Sequence, residues 1–289
     1  MKKYLMNVLI ILMFLVGLSV LLYPAISEYV NEKHASRVVA SYNQAVANTS
    51  EDKIAAMLAD AHDNNERLFH TSGAFFSPDR VSGYDQALDI IGTGVMGSIS
   101  IDRIGVELPI YHGIDPTVLR VGTGHLPGTS LPVGGRNTHC VISGHRGLPS
   151  AKLFTNLDEL QVGDTFQITV LRDCLTYRVD QIKTVKPDET DDLQIVPDKD
   201  YCTLLTCTPY GINTHRLLVR GERIESEYEK PGLYVANEAF LVDSLIVVPV
   251  ASIPLLLILL VITLSAALRR RKNNRPAVGE KGEESKDET

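Results

Sequence analysis

The chain has 289 residues, with 28 basic and 35 acidic side chains and a formal net charge of −7 at pH 7. This mildly acidic balance, with no stripe of Lys or Arg and no Trp, argues against a nucleic-acid partner. The four cysteines form no C-x-x-C pair and no His/Cys spacing typical of zinc. We therefore expect no disulfide framework, no structural metal and no cofactor. Roughly 200 residues between two apolar ends suffice for one ordinary domain.

Residues 1–27 are predicted to hold a membrane anchor. Lys2 and Lys3 precede an uncharged stretch from Leu5 to Leu22 whose length approaches the thickness of a bilayer core. The stretch exceeds the length of about 7 to 15 residues that is usual for the apolar part of a signal peptide. We favour an uncleaved anchor, with a signal peptide cleaved near Ala25 as the alternative.

Two further segments precede the main domain. Residues 28–69 carry apolar side chains at helical spacing, which predicts two amphipathic helices that pack against that domain. Residues 70–89 form a long irregular segment that still contains the adjacent aromatics Phe75 and Phe76. Loops of this length are usually either disordered or functional, for example as lids over an active site.

The domain at residues 90–228 is predicted to be mainly β. Short β-rich segments alternate with Gly/Pro turns, which favours a closed or nearly closed barrel. One helix is expected within it, from Pro149 to about Leu157, and His125 is interpreted as a turn histidine. The predicted strands are residues 98–101, 106–111, 138–142, 165–171, 175–185, 201–207 and 214–223.

Cys207 is the candidate nucleophile. It ends the apolar run that begins at Tyr201, and a thiol at a strand end can meet both solvent and substrate. The residues that follow include Pro and Gly and predict a loop, after which a strand returns. That return would bring Arg216 near the sulfur, where a permanent positive charge can stabilise an oxyanion.

His145 is the best placed of the eight histidines to act as a general acid/base. It follows the predicted strand at residues 138–142 and lies between Gly144 and Gly147, which let the backbone turn and the ring project. A single Cys or His is more often a buried small side chain or a solvated ring. Thiol, imidazole and guanidinium together, each next to a strand end, favour a catalytic site instead.

Cys140 and Cys202 each lie five residues before a proposed catalytic residue. If their strands are neighbours, the two thiols should be close together. The odd offset puts Cys202 on the opposite face of the strand from Cys207. We expect two free, buried thiols, because side chains on paired strands often miss disulfide geometry.

The segment Thr203–Cys207 matches the T-L-x-T-C signature of sortases, and His145 and Arg216 fall at the family's histidine and arginine. The resemblance runs from about Val95 to Ile224 and looks like the class C, pilin-polymerising branch. It implies an eight-stranded sortase barrel. Gly/Pro-rich blocks at residues 94–97, 108–113, 124–135 and 143–154 also resemble those of the family.

The resemblance also implies a reaction. Cys207 would attack the threonyl carbonyl of an LPxTG-like sorting signal, His145 would transfer the protons, and Arg216 would stabilise the oxyanion. The acceptor would be a lysine amine of another pilin subunit, so that the product is a covalent fibre. Two alternatives are a housekeeping sortase that uses a cell-wall precursor, and a membrane module that binds pilins without catalysis.

Class C sortases carry a lid at the position of residues 70–89, typically anchored by an Asp-Pro-aromatic triplet. This sequence has no such triplet, so an ion pair from the lid to Arg216 is not expected. Phe75 or Phe76 could supply the aromatic ring, and Thr206 is a further candidate for the substrate cleft. The expected lid is mobile and covers Cys207 only loosely.

The C-terminal part is predicted to return to the membrane. A linker at residues 229–244 leads to an uncharged stretch at 245–268, long enough to cross a bilayer. Residues 269–289 begin with four basic residues, which indicates a cytoplasmic flank, and continue as a charged, disordered tail. Both termini are thus expected in the cytoplasm and the catalytic domain outside the cell.

Overall fold

The computed structural model of the protein describes residues 2–225. The predicted linker at 229–244, the predicted membrane helix at 245–268 and the predicted tail at 269–289 lie outside the described residues. Within the described part, two long helices lead into a β-barrel.

Helix α1, Lys2–Ala47, is continuous over 46 residues, so no break separates the apolar segment from the amphipathic one. Exposed apolar side chains follow it from Met6 to Val30. The part Ile10–Ala47 contains a stretch long and apolar enough to cross a membrane. Beyond Val30 the helix becomes amphipathic and packs against the barrel, mainly against its first two strands.

Tyr42 fixes the amphipathic part of α1 to the barrel. Its side chain is fully buried, and its hydroxyl donates to the carbonyl oxygen of Met96 at 2.9 Å. The same hydroxyl accepts a hydrogen bond from the backbone N–H of Leu171 at 2.7 Å. The Tyr42 hydroxyl therefore satisfies the hydrogen-bonding needs of two backbone groups, one in β1 and one just after β5.

Helix α2, Glu51–His70, buries Ile54, Ala61 and Leu68. Asn65 holds it to the barrel through both atoms of its amide: Nδ2 donates to the carbonyl oxygen of Leu131 at 3.1 Å, and Oδ1 accepts from the N–H of Leu131 at 2.7 Å. These contacts confirm the prediction that the helical segment packs as a scaffold against the β domain.

The predicted mainly β class is confirmed as a closed eight-stranded barrel. Around the barrel the strand order is β1-β2-β3-β4-β7-β8-β6-β5. The β2–β3 and β4–β7 pairs are parallel, and the other six are antiparallel. The strands are β1 (Val95–Ile101), β2 (Val106–His112), β3 (Thr123–His125), β4 (Thr138–Ser143), β5 (Thr165–Val170), β6 (Asp173–Val185), β7 (Asp200–Thr208) and β8 (His215–Ile224), with a one-turn helix α3 (Pro116–Leu119) between β2 and β3.

The helix predicted from Pro149 to about Leu157 is wrong. These residues form turns, and a short 3-10 helix covers only Leu157–Glu159. The carbonyl of Ser150 accepts from Asn31 at 2.6 Å instead of from a residue four positions on. Phe154 in turn donates its N–H to the carbonyl of His145 at 3.1 Å. Tertiary hydrogen bonds thus replace the helical ones.

The interior of the barrel contains the two cysteines that the sequence placed near each other. Cys140 on β4 and Cys202 on β7 are paired directly in the parallel ladder. Both are buried, and both are free thiols. This confirms that the strands are neighbours and that Cys202 lies on the opposite face from Cys207.

Candidate active site

Cys207 and Arg216 form a directly opposed pair in the antiparallel β7–β8 ladder. Side chains in such a pair leave the same face of the sheet with their Cβ atoms about 4.5 to 5.5 Å apart. Cys207 and Arg216 are both half-buried. The guanidinium is held by the loop between the strands, since Nη1 donates to the carbonyls of Asn213 at 3.3 Å and His215 at 3.1 Å.

His145 reaches the same place from the other side of β7. The parallel β4–β7 ladder ends with Ser143 opposite Leu205. The N–H of Gly144 continues it by donating to the carbonyl of Leu205 at 3.0 Å. Extending this register by one more residue would bring His145 level with Cys207, on the side of β7 opposite to Arg216.

Thr206 positions the histidine loop and does not open onto a cleft. Its side chain is buried, and its hydroxyl donates to the carbonyl of Gly144 at 2.8 Å. Phe154 supports the same turn, because a methyl group at Gly144 would come within 2.6 Å of its ring. Only glycine fits between β7 and that fully buried phenyl ring.

The environment of His145 favours its neutral form. Partial burial of the ring, and then the positive charge of Arg120, lower the pKa of His145. A neutral imidazole can accept a proton from a thiol or an incoming amine.

A cleft of about 270 Å³ lies on the outer face of the barrel beside these groups. Arg216 is part of its wall. Cys207 and His145 do not line it, but each follows a lining residue, Leu205 or Ser143, by two positions. The remaining walls are mostly apolar and come from β6, β8 and the preceding loops, including Leu126, Val185, Pro187, Leu193 and Leu218.

Comparison with known proteins identifies this arrangement. A family model described as the Sortase domain matches residues 99–224. The crystal structure of sortase C1 from Streptococcus agalactiae is 46% identical and covers 66% of this chain and 100% of that one, with a TM-score of 0.61. The chain belongs to the sortase family.

Two further relatives refine this assignment. Sortase C from Clostridium perfringens, solved with the C-terminal cell wall sorting motif, is 44% identical and covers 66% of this chain and 100% of that one, at a TM-score of 0.58. Sortase D of Bacillus subtilis is 30% identical over 131 residues, 44% of this chain. The chain spans 63% of that curated relative, less than two thirds. The likeness to sortase C structures supports class C.

In this sortase, the segment predicted to be a lid crosses the cleft. Three short 3-10 helices, Ala74–Phe76, Pro78–Arg80 and Tyr84–Gln86, replace the irregular loop that the sequence suggested. Phe75 is half-buried and lines the cleft with Arg216, whereas Phe76 is 72% exposed. Of the two candidate rings, Phe75 is therefore the one in the cleft.

The segment predicted to be a lid is attached to the barrel near its C-terminal end. The hydroxyl of Tyr84 contacts Nδ1 of His125 at 3.0 Å, donates to the His125 carbonyl at 3.1 Å and accepts from the N–H of Gly113 at 2.9 Å. The interpretation of His125 as a turn residue is wrong, because it lies on β3 and is fully buried. A three-residue strand is too short to show alternation in the sequence.

Within residues 2–225, no group of three or more His, Cys, Asp or Glu side chains is arranged to hold a metal ion.

Proposed function

We propose that this chain is a class C sortase, a cysteine transpeptidase that cuts an LPxTG-like sorting signal between Thr and Gly and joins the threonyl group to a lysine amine of a pilin subunit. The observation that carries the proposal is the register of three strands. It sets Cys207 opposite Arg216 on one side, and β4 ends beside β7 on the other, two residues before His145.

The first step forms a thioester. Cys207 gives its thiol proton to the neutral ring of His145, and its sulfur attacks the threonyl carbonyl carbon. The carbonyl oxygen takes the negative charge of the tetrahedral intermediate beside Arg216. The carbon–nitrogen bond then breaks, and His145 as imidazolium gives its proton to the departing glycine amine. Because burial lowers the pKa of His145, its imidazolium is a stronger acid than an exposed one.

The second step resolves the thioester. The lysine amine attacks the same carbonyl carbon, and the neutral ring of His145 removes a proton from it. Collapse of the intermediate breaks the carbon–sulfur bond, and His145 returns its proton to the sulfur of Cys207, which restores the starting thiol and neutral ring. The product is an amide bond between two polypeptides.

The cleft supports a sorting signal with an apolar start. The cleft has an apolar surface that suits leucine and proline side chains, and Arg216 lies in the same wall. This surface is formed by Leu126, Val185, Leu205 and Leu218. The Clostridium perfringens relative was solved with a sorting motif. Pilin as the second substrate is proposed here from the likeness to sortase C structures.

The same proposal includes the location of the enzyme. Helix α1 would anchor the chain in the cell membrane with its catalytic domain outside the cell, as in the sortase family. The span at residues 245–268 would place both termini in the cytoplasm. Cysteine labelling on intact cells tests this topology, since a reporter cysteine after Arg275 should resist a membrane-impermeant reagent.

Pilin ladders provide the direct test. The full-length enzyme is incubated with candidate pilins, and products that survive heat and detergent are resolved by size. Covalent ladders are expected with the natural chain and with Cys174→Ala, a matched control for a half-buried cysteine outside the site. Cys207→Ala should give none. Transfer only to a cell-wall precursor amine would instead support the housekeeping function.

A further inference from the structure

The end of the barrel at which β4 and β7 finish is called the catalytic end here, because it carries Cys207 and His145. Helix α1 touches this end through Asn31, whose Nδ2 donates to the carbonyl of Ser150 at 2.6 Å. Ser150 belongs to the loop that follows His145. Tyr42 contacts Met96 at the opposite end, about 16 Å further along the helix at 1.5 Å per residue. Counted from its N-terminus, helix α1 thus contacts the catalytic end before it contacts the opposite end.

The apolar surface of α1 ends directly before that contact. No charged residue lies between Lys3 and Glu28. Ile26, Tyr29 and Val30 are 53%, 41% and 57% exposed. About 20 residues of helix cross a hydrocarbon core of roughly 30 Å. A span that begins after Lys3 therefore leaves Asn31 about 12 Å beyond the hydrocarbon boundary, just outside the headgroup layer.

Exposed apolar side chains cluster at the same end. Tyr210 and Ile212, in the loop between β7 and β8, are 59% and 67% exposed. The ring of Tyr210 packs over Gly147, in the same loop as Ser150. Val162, in the turn before β5 at this end, is 66% exposed. Exposure of these apolar side chains to water is unfavourable, whereas a lipid interface favours tyrosine and aliphatic side chains.

Two ion pairs neutralise charges between these apolar groups. Nη1 of Arg103 lies 3.1 Å from Oδ1 of Asp164, and Nη2 of Arg146 lies 2.5 Å from Oδ2 of Asp158. Both pairs lie in the loops of the catalytic end. These two pairs reduce the unpaired charge at this end, which suits contact through apolar and aromatic side chains.

We propose that the catalytic end faces the bilayer and that Tyr210 and Ile212 lie in its interfacial layer. The occupant of this apolar surface is then the membrane that α1 crosses, and Cys207 opens close to the lipid surface. The hydrogen bond between Asn31 and Ser150 joins α1 to this end of the barrel. The inference depends on the proposed anchoring by α1 but not on the transpeptidase chemistry.

Single tryptophans can measure the depth of each position, since the chain contains none. Four full-length variants are reconstituted into phosphatidylcholine vesicles: Tyr210→Trp, Ile212→Trp, Val196→Trp and Phe14→Trp. Quenching of their fluorescence is compared between vesicles with a spin label at the headgroup and vesicles with one deep in the acyl chain. Val196 is the matched control, because it is exposed and apolar but precedes β7 at the opposite end.

Phe14→Trp in the middle of α1 should be quenched by the deep label, which establishes that the helix is inserted. Under that condition, headgroup-labelled lipid should quench Tyr210→Trp and Ile212→Trp severalfold more than Val196→Trp. Equal quenching at all three positions, or none at 210 and 212, would overturn the proposed orientation. Failure of quenching at Phe14→Trp would overturn it too, by removing the anchor on which it depends.

Discussion

Two cysteines on β7 show how position decides what a thiol can do. Cys202 points into the barrel and is fully buried beside Cys140. Burial raises the pKa of Cys202 well above its ordinary value, so this thiol stays protonated. Cys207, five residues later, lies on the outer face at the end of the strand, between a histidine and an arginine. The same side chain is a packing group in one place and a candidate nucleophile in the other.

Replacing each cysteine by alanine separates the two roles most strongly. Cys207→Ala should abolish thioester formation and leave the fold intact. Cys202→Ala should keep acyl transfer and lower the free energy of unfolding by about 1 kcal/mol, the value of one small buried group. Mass spectrometry of the acyl-enzyme and urea unfolding measure the two effects. Acyl transfer by the Cys207→Ala variant would refute the assignment of the nucleophile.

The next largest effect should come from the arginine opposite Cys207. Arg216→Ala removes the proposed oxyanion donor, and such losses cost roughly 2.7 to 4 kcal/mol, or about a hundred- to a thousandfold in turnover. Arg220→Ala is the control, because Arg220 lies on the same strand but pairs with Asp180. It should reduce turnover far less. If the two variants lose activity equally, Arg216 has no special role in the reaction.

His139, which is buried on β4, should make the stability of the barrel depend on pH. Burial lowers the pKa of His139 to about 4, and the ring is held by the Gln194 carbonyl and the Thr203 hydroxyl. The unfolded chain, with an ordinary pKa near 6.5, binds the proton more tightly, so stability should fall as pH drops from about 6.5 to 4. The full loss is about 3 kcal/mol at 1.36 kcal/mol per unit.

His139→Asn should flatten that pH dependence, whatever it does to stability at pH 7. Urea unfolding at several pH values between 4 and 7 measures the slope. An unchanged slope would show that another group is responsible for the loss at acid pH.

The lid should give the smallest effect. Phe75 is only half-buried in the cleft, so its removal should open the site by about 1.4 kcal/mol, a tenfold rise in the alkylation rate of Cys207. Phe76→Ala should leave that rate unchanged, because its ring is exposed. Both variants carry Cys174→Ala to remove the other half-buried thiol. A rise of a hundredfold or more on deletion of residues 71–83 would contradict a loose lid.

The sequence predicted the barrel well, and it proposed three candidate residues, because both depend on local patterns. Alternating β-rich segments, a thiol at the end of one of them and a glycine-flanked histidine can all be seen without knowledge of the fold. The seven predicted strands correspond to strands in the structure, with ends that differ by up to three residues.

The features that sequence reasoning missed depend on distant contacts. The sequence near Ser150 does not reveal that its carbonyl accepts a hydrogen bond from Asn31 in place of a helical one. The burial of Thr206 follows from the inward face of β7, and its bond to Gly144 requires the parallel β4 strand beside it. Tyr84 reaches His125 and Gly113 across the barrel wall. Such contacts exist only once the strand order is known.

The strand order also has a consequence for biosynthesis. His145, Cys207 and Arg216 come from three strands, and the first is separated from the other two by the whole of β5 and β6. Long-range pairings of this kind form late, because loop closure must precede them. A chain still emerging across a membrane would therefore carry an isolated cysteine without its partners. Acyl-transfer activity would begin only after the barrel closes, which protects other polypeptides in transit from a premature nucleophile.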